Sequence, residues 1–379
     1  MIGSGSSAIQ IIPQLQKRTG TDLSCFIRGK TWISPPFAQS IQDSLGMSST
    51  TFSDEQRKRF ADDPEHFYNF RRTIEADSNN IHSVTIRGTD MAKGAQAEFE
   101  KSMKERLKKK PEIFDKIKPD FAPGCRRLTP GPGFLEALTQ DNVHFIQDRI
   151  TAVEHTGVRT ADGTLHEVDV IVCATGFHTA AAPPFAVKGL NGITLADHWS
   201  KRASTYMSIT TDSFPNLFMM LGPNSAIGSG SLTKMIESVG DYIFKCLRKI
   251  QRENIRSMSI KSARVRDFLR YSDAYFKSTV FTDECRSWYR TGDKITGLWP
   301  GSTLHCIESL RSPRWEDYDY EYVQDETEEN QLAWMGNGWS INQLDNGDTA
   351  WYLRPEYQDV PQAPLPEEKE FYQVRAFAN

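Results

Sequence analysis

The sequence predicts an α/β chain organised around a βαβ unit, and three stretches carry that prediction. Gly3-Ser4-Gly5-Ser6-Ser7-Ala8 reads as GxGxxA, the glycine turn between the first strand and first helix of a dinucleotide-binding unit. Val168-Asp169-Val170-Ile171-Val172-Cys173 is nearly continuous β-branched and apolar sequence, as expected of a strand buried on both faces of a parallel sheet. Phe214 to Leu221 is a second such run, followed by a glycine-rich loop and a long helical period. The chain thus repeats a strand, loop and helix order.

The elements follow from these in sequence. Only Met1 and Ile2 stand before the turn, so its strand is very short. In the turn, Gly3 permits the sharp bend, Gly5 lets backbone approach a pyrophosphate, and Ala8 allows close helix packing. The helix from Ser6 to Gln16 aims its free N–H groups and positive dipole end at that phosphate. Leu23 to Ile27 fits the second strand of the unit. At its end an Asp or Glu suits the ribose hydroxyl of NAD, whereas here Arg28 and Lys30 suit the 2′-phosphate of NADP, the bland alternative being a solvated strand end.

From Ser40 to Pro119 the sequence is charged and helical, an insertion in which Phe99, Met103 and Leu107 form one narrow face of a surface helix. Lys108 to Lys110 reads as a solvated helix end stopped by Pro111. Arg126 and Arg127 precede the loop Thr129-Pro130-Gly131-Pro132-Gly133, and residues alone leave them either a site or a surface corner. A short helix over Phe134 to Leu138, a strand over Val143 to Ile146 and a hairpin over Ile150 to Glu167 with its turn at Asp162-Gly163 come next. Ala174-Thr175-Gly176-Phe177 ends the following strand in small residues, which either admit a cofactor or simply turn the chain.

After Gly222-Pro223-Asn224-Ser225, Ser231 is a helix N-cap, and Leu232, Met235, Ile236, Val239, Ile243, Phe244, Leu247 and Ile250 keep a 3.6-residue period. Ser287 to Ser302 is aromatic and glycine-rich, a packed loop and edge. Beyond Trp315 the chain turns acidic, and the proline-bearing tail from Arg354 to Glu368 lies on the surface.

With 379 residues, 38% of them hydrophobic, the chain has room for two domains. A net charge of −4 provides no basic field, so nucleic acid is not a favoured partner. The six cysteines are scattered without a CxxC pair or a metal-ligand spacing, which reads as a reduced, cytoplasmic protein without a metal site. No eighteen apolar residues run together, so no membrane span is expected.

Taken together, these stretches resemble the class B flavoprotein monooxygenases, and within them the Baeyer–Villiger monooxygenases of fungal secondary metabolism, over nearly the whole chain. GSGSSAIQ (Gly3 to Gln10) is similar to the family's NADPH-binding turn, and IRGKTWISPP (Ile27 to Pro36) to the strand end holding the 2′-phosphate. GCRRLTPGPGFLEAL (Gly124 to Leu138) resembles the stretch carrying the active-site arginine, matched by Arg127. CATGF (Cys173 to Phe177) resembles the junction hallmark, and LGPNSAIGSGSL (Leu221 to Leu232) the segment beside the flavin.

The resemblance implies an α/β flavoprotein fold of two dinucleotide-binding domains. Its first βαβ unit, which binds the ADP part of FAD, and the FxGxxxHxxxW signature would precede residue 1, making the chain N-terminally truncated. It implies an NADPH-binding domain over residues 1–180 with a helical insertion at about 35–120, the C-terminal part of an FAD-binding domain over 181–330, and an extension over 331–379. NADP would contact Gly3, Ser4, Gly5, Ser6, Ser7, Ala8, Gln10, Arg28, Gly29 and Lys30. Thr175, Gly176, Gly222 and Asn224 would serve the cofactors, and Arg127 would be catalytic.

The implied reaction inserts one oxygen atom from O2 into a ketone-bearing metabolite, giving an ester or lactone, with FAD and NADPH as cofactors. A fixed guanidinium stabilises anionic oxygen there without titrating. His178 stands where the Baeyer–Villiger pattern commonly has an Asp. The alternatives are a nicotinamide-binding remnant without monooxygenase activity and an NADP dehydrogenase. The latter ranks lowest, because no Tyr/Lys or His/Asp proton relay stands out.

Overall fold

The computed structural model describes residues 1–35, 41, 51–177, 182–323, 330 and 332–354. His178, Pro36, the acidic residues from Asp325 to Glu329 and the proline-bearing tail lie outside the described residues.

The first layer is a parallel βαβ arrangement. Helix α1 (Ser6–Gln16) follows the glycine turn, and β1 (Leu23–Phe26) pairs in parallel with β2 (Val143–Ile146), Leu23 opposite Val143 and Phe26 opposite Ile146. Ile2 serves as a one-residue strand between β1 and the segment at Cys173, bridging Phe26 on one side and Cys173 on the other, both in parallel. The Ile2 N–H donates to the Val172 carbonyl at 2.9 Å, and the Ala174 N–H donates to the Ile2 carbonyl at 2.8 Å. Ala8, Ile9 and Ile12 of α1 are buried against this sheet. Burying an aliphatic side chain of this size stabilises by about 1.5–3 kcal/mol, which fixes the helix axis relative to the turn.

The charged segment forms helices α2 (Asp54–Asp62), α3 (Pro64–Asn80), α4 (Asp90–Arg106) and α5 (Glu112–Ile117). The Phe99, Met103 and Leu107 face is a core face rather than a surface stripe: all three are buried with Trp32, Ile113, Phe114 and Ile117 in the same cluster as α1. Helix α6 (Phe134–Leu138) packs on α1.

Three further expectations are corrected. Ile150 to Glu167 forms two hairpins, not one, with β3 (Ile150–Val153), β4 (Gly157–Thr160) and β5 (Leu165–Glu167) in one antiparallel sheet; Asp162-Gly163 turns the second. Among the described residues Val168–Cys173 is not a doubly buried strand, because of its residues Cys173 alone finds a bridge there and Val170 is 72% exposed. Phe214 to Leu221 is no strand either: Ser213, Asn216 and Leu221 have positive φ, which breaks the extended run into turns.

After α7 (Leu195–His198), the second core is built on α8 (Leu232–Arg252), β6 (Ile255–Ile260), α9 (Ser262–Phe276), α10 (Thr303–Leu310) and β9 (Tyr318–Tyr322), with β6 and β9 antiparallel. Ser231 caps α8 as expected, accepting from the Lys234 N–H. The buried stripe is rotated from the expected one: Met235, Ser238, Val239, Tyr242 and Cys246 point inward, and Phe244 and Leu247 are exposed. Tyr242 and Tyr318 explain the rotation, since their hydroxyls meet at 3.0 Å inside this core.

A third, smaller cluster joins the two. Phe276, Val280, Phe281, Tyr289, Ile295 and Leu298 pack with Ala122 from the first half and Ala226 from the second. It sets the hairpin of β7 (Arg290–Thr291) and β8 (Lys294–Ile295) beside residues 121–127. No helix among the described residues is long and apolar enough to cross a membrane, and among them no group of three acidic, His or Cys residues could hold a metal.

Candidate active site

The site is built on the N-terminus of α1. Gly3 has φ +125, and a Cβ there would meet the Ala174 carbonyl oxygen at 2.3 Å, so only glycine lets the 172–174 segment cross the turn. Gly5 is different. Its φ of −80 suits any residue and a Cβ would touch nothing within 4 Å, so its bareness leaves space rather than relieving strain. Among the described residues no side chain caps α1, which leaves its first-turn N–H groups facing that space.

Two loops are hydrogen-bonded around it. Ser4 Oγ donates to the Gly29 carbonyl at 3.2 Å, tying the turn to the end of β1. The Ser6 and Thr129 hydroxyls meet at 2.7 Å, and Ile33 bridges Thr129 in parallel. Arg126 Nη1 donates to the Lys30 carbonyl at 3.0 Å, which brings a guanidinium over Gly29. Burial works against the Arg126 charge and pulls its pKa down, yet an arginine so far above neutrality stays protonated.

The opposite wall comes from the distant segment after the third core cluster. Gly5, Ser6, Ile9, Thr31, Arg126, Arg127, Thr129, Arg286, Ser287 and Trp288 line one cavity of about 110 Å³. Three arginines and a helix N-terminus face it and, among the described residues, no carboxylate lines it, an arrangement electrostatically suited to a polyanion. Tyr289 lies buried behind it; burial pushes its phenol up to about 12 even though Arg127 beside it acts in the opposite direction.

Cys125 and Cys285 are joined by a disulfide, 160 residues apart in sequence, with their Cα atoms 6.4 Å apart. The expectation of six reduced cysteines is therefore corrected for this pair. The third core cluster brings the two together, and scattered spacing could not reveal it. Cys25, Cys246 and Cys306 are buried thiols whose pKa values burial pushes up to about 12, and Cys173 is an exposed thiol.

Of the residues singled out from sequence, the structure brings Gly5, Ser6 and Arg127 onto the cavity, with Gly3, Ser4 and Gly29 bracing it. Ala8 is buried in the core, and Ser7 is exposed. Gln10 is also exposed and turns back to the Ser6 carbonyl at 3.0 Å. Arg28 is exposed at the end of β1, and Lys30 is paired with Asp120 at 2.7 Å; neither lines the cavity. Thr175 and Gly176 are exposed beyond the Gly3 crossing.

Gly222 and Asn224 do not line the cavity. A Cβ at Gly222 would meet the Ser208 carbonyl oxygen at 2.7 Å, and the fully buried Asn224 donates to the carbonyls of Ile295 at 3.1 Å and Leu298 at 2.9 Å, pinning the β8 loop. Sequence reasoning left Arg126 open and missed Thr129, Arg286 and Trp288 as cavity residues. Arg126 was signalled by the paired arginines, whereas Arg286 had no local signal because its partners lie far back in the chain.

No family model matches the chain. It is 36% identical over 360 residues to the FAD-binding monooxygenase tazF of Aspergillus terreus, covering 93% of this chain and 63% of that protein. It is 31% identical over 343 residues to the FAD-binding monooxygenase stcW of Emericella nidulans, covering 90% of this chain and 55% of that protein. The chain thus spans between half and two thirds of the length of these curated relatives.

Among known structures it is similar to an oxidized steroid monooxygenase bound to NADP, with a TM-score of 0.65, 18% identity and coverage of 85% of this chain and 67% of that one. A closed cyclohexanone monooxygenase gives a TM-score of 0.68 at 20% identity with the same coverages. At such identities these likenesses concern the fold. The chain is thus similar over about nine tenths of its length to FAD-binding monooxygenases, and its α/β fold is similar to part of the fold of the flavin monooxygenases.

Proposed function

We propose that the chain belongs to an NADPH- and FAD-dependent monooxygenase that inserts one oxygen atom from O2 into a ketone, giving an ester or lactone. The observation that carries this reading is the cavity at the α1 N-terminus, with its bare Gly5, its three arginines and, among the described residues, no carboxylate. When the coenzyme is bound, the first-turn N–H groups of α1 would hold its pyrophosphate, and Arg28 and Lys30 at the end of β1 would meet the 2′-phosphate that distinguishes NADP from NAD. The relatives are FAD-binding monooxygenases by name, and two of the structural neighbours contain NADP and NADP+ respectively.

FAD, when bound, supplies the activation of oxygen that no side chain can perform. Arg127 then holds a permanent positive charge where negative charge develops on oxygen, and its exposure on the cavity keeps it available to substrate. The Oδ1 of Asn224 is buried without a partner, an acceptor left over in the segment whose resemblance is to the flavin-side loop. On this reading residues 1–180 bind NADPH, 181–330 contribute to the FAD domain and 331–379 form an extension.

A second reading, a nicotinamide-binding remnant without oxygenase activity, is favoured by one observation. Among the described residues the edge at the CATGF junction is uncovered, with Val170 72% and Phe177 88% exposed. The flavin absorbance of the purified chain after incubation with FAD, measured with NADPH oxidation in the presence of a cyclic ketone, separates the two. Near-stoichiometric flavin and ester or lactone formation are expected; NADP+ binding with neither would favour the remnant.

A further inference from the structure

Each wall of the cavity begins with the same dipeptide. Cys125 is followed by Arg126 and Arg127, and Cys285 is followed by Arg286; the two sulfurs are bonded to each other. All three arginines face the cavity. The bond therefore sits at the hinge of two cationic walls drawn from chain segments 160 residues apart.

The far wall has few other ties. Asp283 is anchored: its carboxylate accepts from the Ala122 N–H at 2.9 Å and from Arg87 at 2.8 Å, and its carbonyl accepts from Arg290 at 2.7 Å. Tyr289 is anchored by burial in the third cluster. Between them, the hydrogen bonds of residues 284–288 are local: Cys285 N–H to Asp283 at 2.8 Å, Tyr289 N–H to the Ser287 hydroxyl at 3.2 Å and Arg290 N–H to the Ser287 carbonyl at 3.3 Å. Among the described residues, the disulfide is the one bond from this stretch to the opposite wall. A five-residue span held only at its ends keeps much backbone freedom, and fixing a residue costs about 1–2 kcal/mol of entropy, which the bridge removes in advance of binding.

We propose that the Cys125–Cys285 disulfide is a redox-sensitive clasp that positions Arg286 opposite Arg126 and Arg127 as an additional cation for the phosphates of the dinucleotide. The proposal rests on the coenzyme reading of the cavity. Oxidised, the bridge holds the wall closed. A dithiol reductant attacks one sulfur, the S–S bond breaks, and two electrons and two protons leave two thiols while the reductant closes to its own disulfide. The half-buried Cys285 is the side open to such a reagent. Released, Arg286 no longer has a fixed place against the ligand.

The test is NADP+ binding by equilibrium dialysis to the full chain, before and after dithiothreitol, with thiol alkylation and mass spectrometry reporting the state of both cysteines. Reduction is expected to weaken binding about tenfold, the effect of losing one charge-assisted contact. Cys285→Ser is expected to bind like the reduced protein under both conditions. Arg286→Ala, with the disulfide intact, is expected to bind about tenfold more weakly and to lose its response to dithiothreitol, a result that general loosening of the fold would not produce. Should Cys285→Ser fail to fold, the Arg286→Ala comparison decides alone. Equal affinity in both redox states, an Arg286→Ala protein that keeps the full redox response, or free thiols at Cys125 and Cys285 in the air-oxidised chain would each overturn the clasp while leaving the coenzyme site standing. Absence of NADP+ binding in every state would instead remove the coenzyme reading, and the clasp with it.

Discussion

At β2 the apolar run Val143–Ile146 lies hydrogen-bonded against β1, and Val143 is 2% exposed. At Val168–Cys173, an apolar run of the same character, Cys173 alone finds a bridge among the described residues, through Ile2, and Val170 is 72% exposed. Both have strand-forming sequence; they differ in neighbours. A strand is half of a pairing, and its hydrogen bonds and burial are supplied by what lies alongside. The same contrast separates the α1 cavity from the edge at the CATGF junction. The α1 cavity has walls from both halves of the chain, whereas the edge carrying Thr175, Gly176 and Phe177 is uncovered among the described residues.

The largest expected effect falls on the walled side. In a preparation that forms ester or lactone, Arg127→Ala is expected to lower product formation by about 10²–10³-fold, as for loss of one donor at a developing oxyanion. NADPH-dependent flavin reduction and NADP+ affinity are expected to change by less than about tenfold, because Arg126 and Arg286 remain; equal loss of reduction and oxygenation would contradict the role.

The comparison of strands has its own test, read by urea denaturation. Val143→Ala is expected to cost about 2 kcal/mol, and Val170→Ala less than about 0.5 kcal/mol, because only the first opens a cavity in a packed core. Similar losses at the two positions would show that Val170 is covered in solution.

A smaller effect is expected at the end of β1. Arg28→Ala should reduce the preference for NADP+ over NAD+ by about tenfold, one charge-assisted contact. Lys30→Ala should cost less than about 1 kcal/mol of stability, since its pair with Asp120 is solvent-exposed. Unchanged coenzyme preference in both variants would detach the 2′-phosphate from these residues.

How much could be read in advance follows the same physical line. Helix α1 and strands β1 and β2 were legible because turn chemistry and periodicity are local and their partners lie within the described chain. The two apolar runs were misread as strands because pairing is not local. In α8 the period was clear but the face was not: Phe244 looked like core, while the inward position belongs to Tyr242, whose hydroxyl finds Tyr318 in a strand far along the sequence. At the site, GxGxxA exposed one wall, and Arg286 with its disulfide stayed hidden until the third core cluster brought residues 122 and 289 together.

Two neighbouring glycines give the most direct test of the central claim, that the bare N-terminus of α1 is kept open for the coenzyme's pyrophosphate. Gly3 is required by the fold, while Gly5 leaves room that nothing among the described residues fills. Gly5→Ala is expected to fold and to melt within a few degrees of wild type, because its φ is allowed for alanine and the unfolded-state entropy gain offsets the N-cap preference for glycine over alanine. NADP+ titrated calorimetrically into that variant is expected to bind at least about tenfold more weakly than into wild type, because the added methyl stands where backbone must approach phosphate. Wild-type affinity in a stably folded Gly5→Ala protein would contradict the claim.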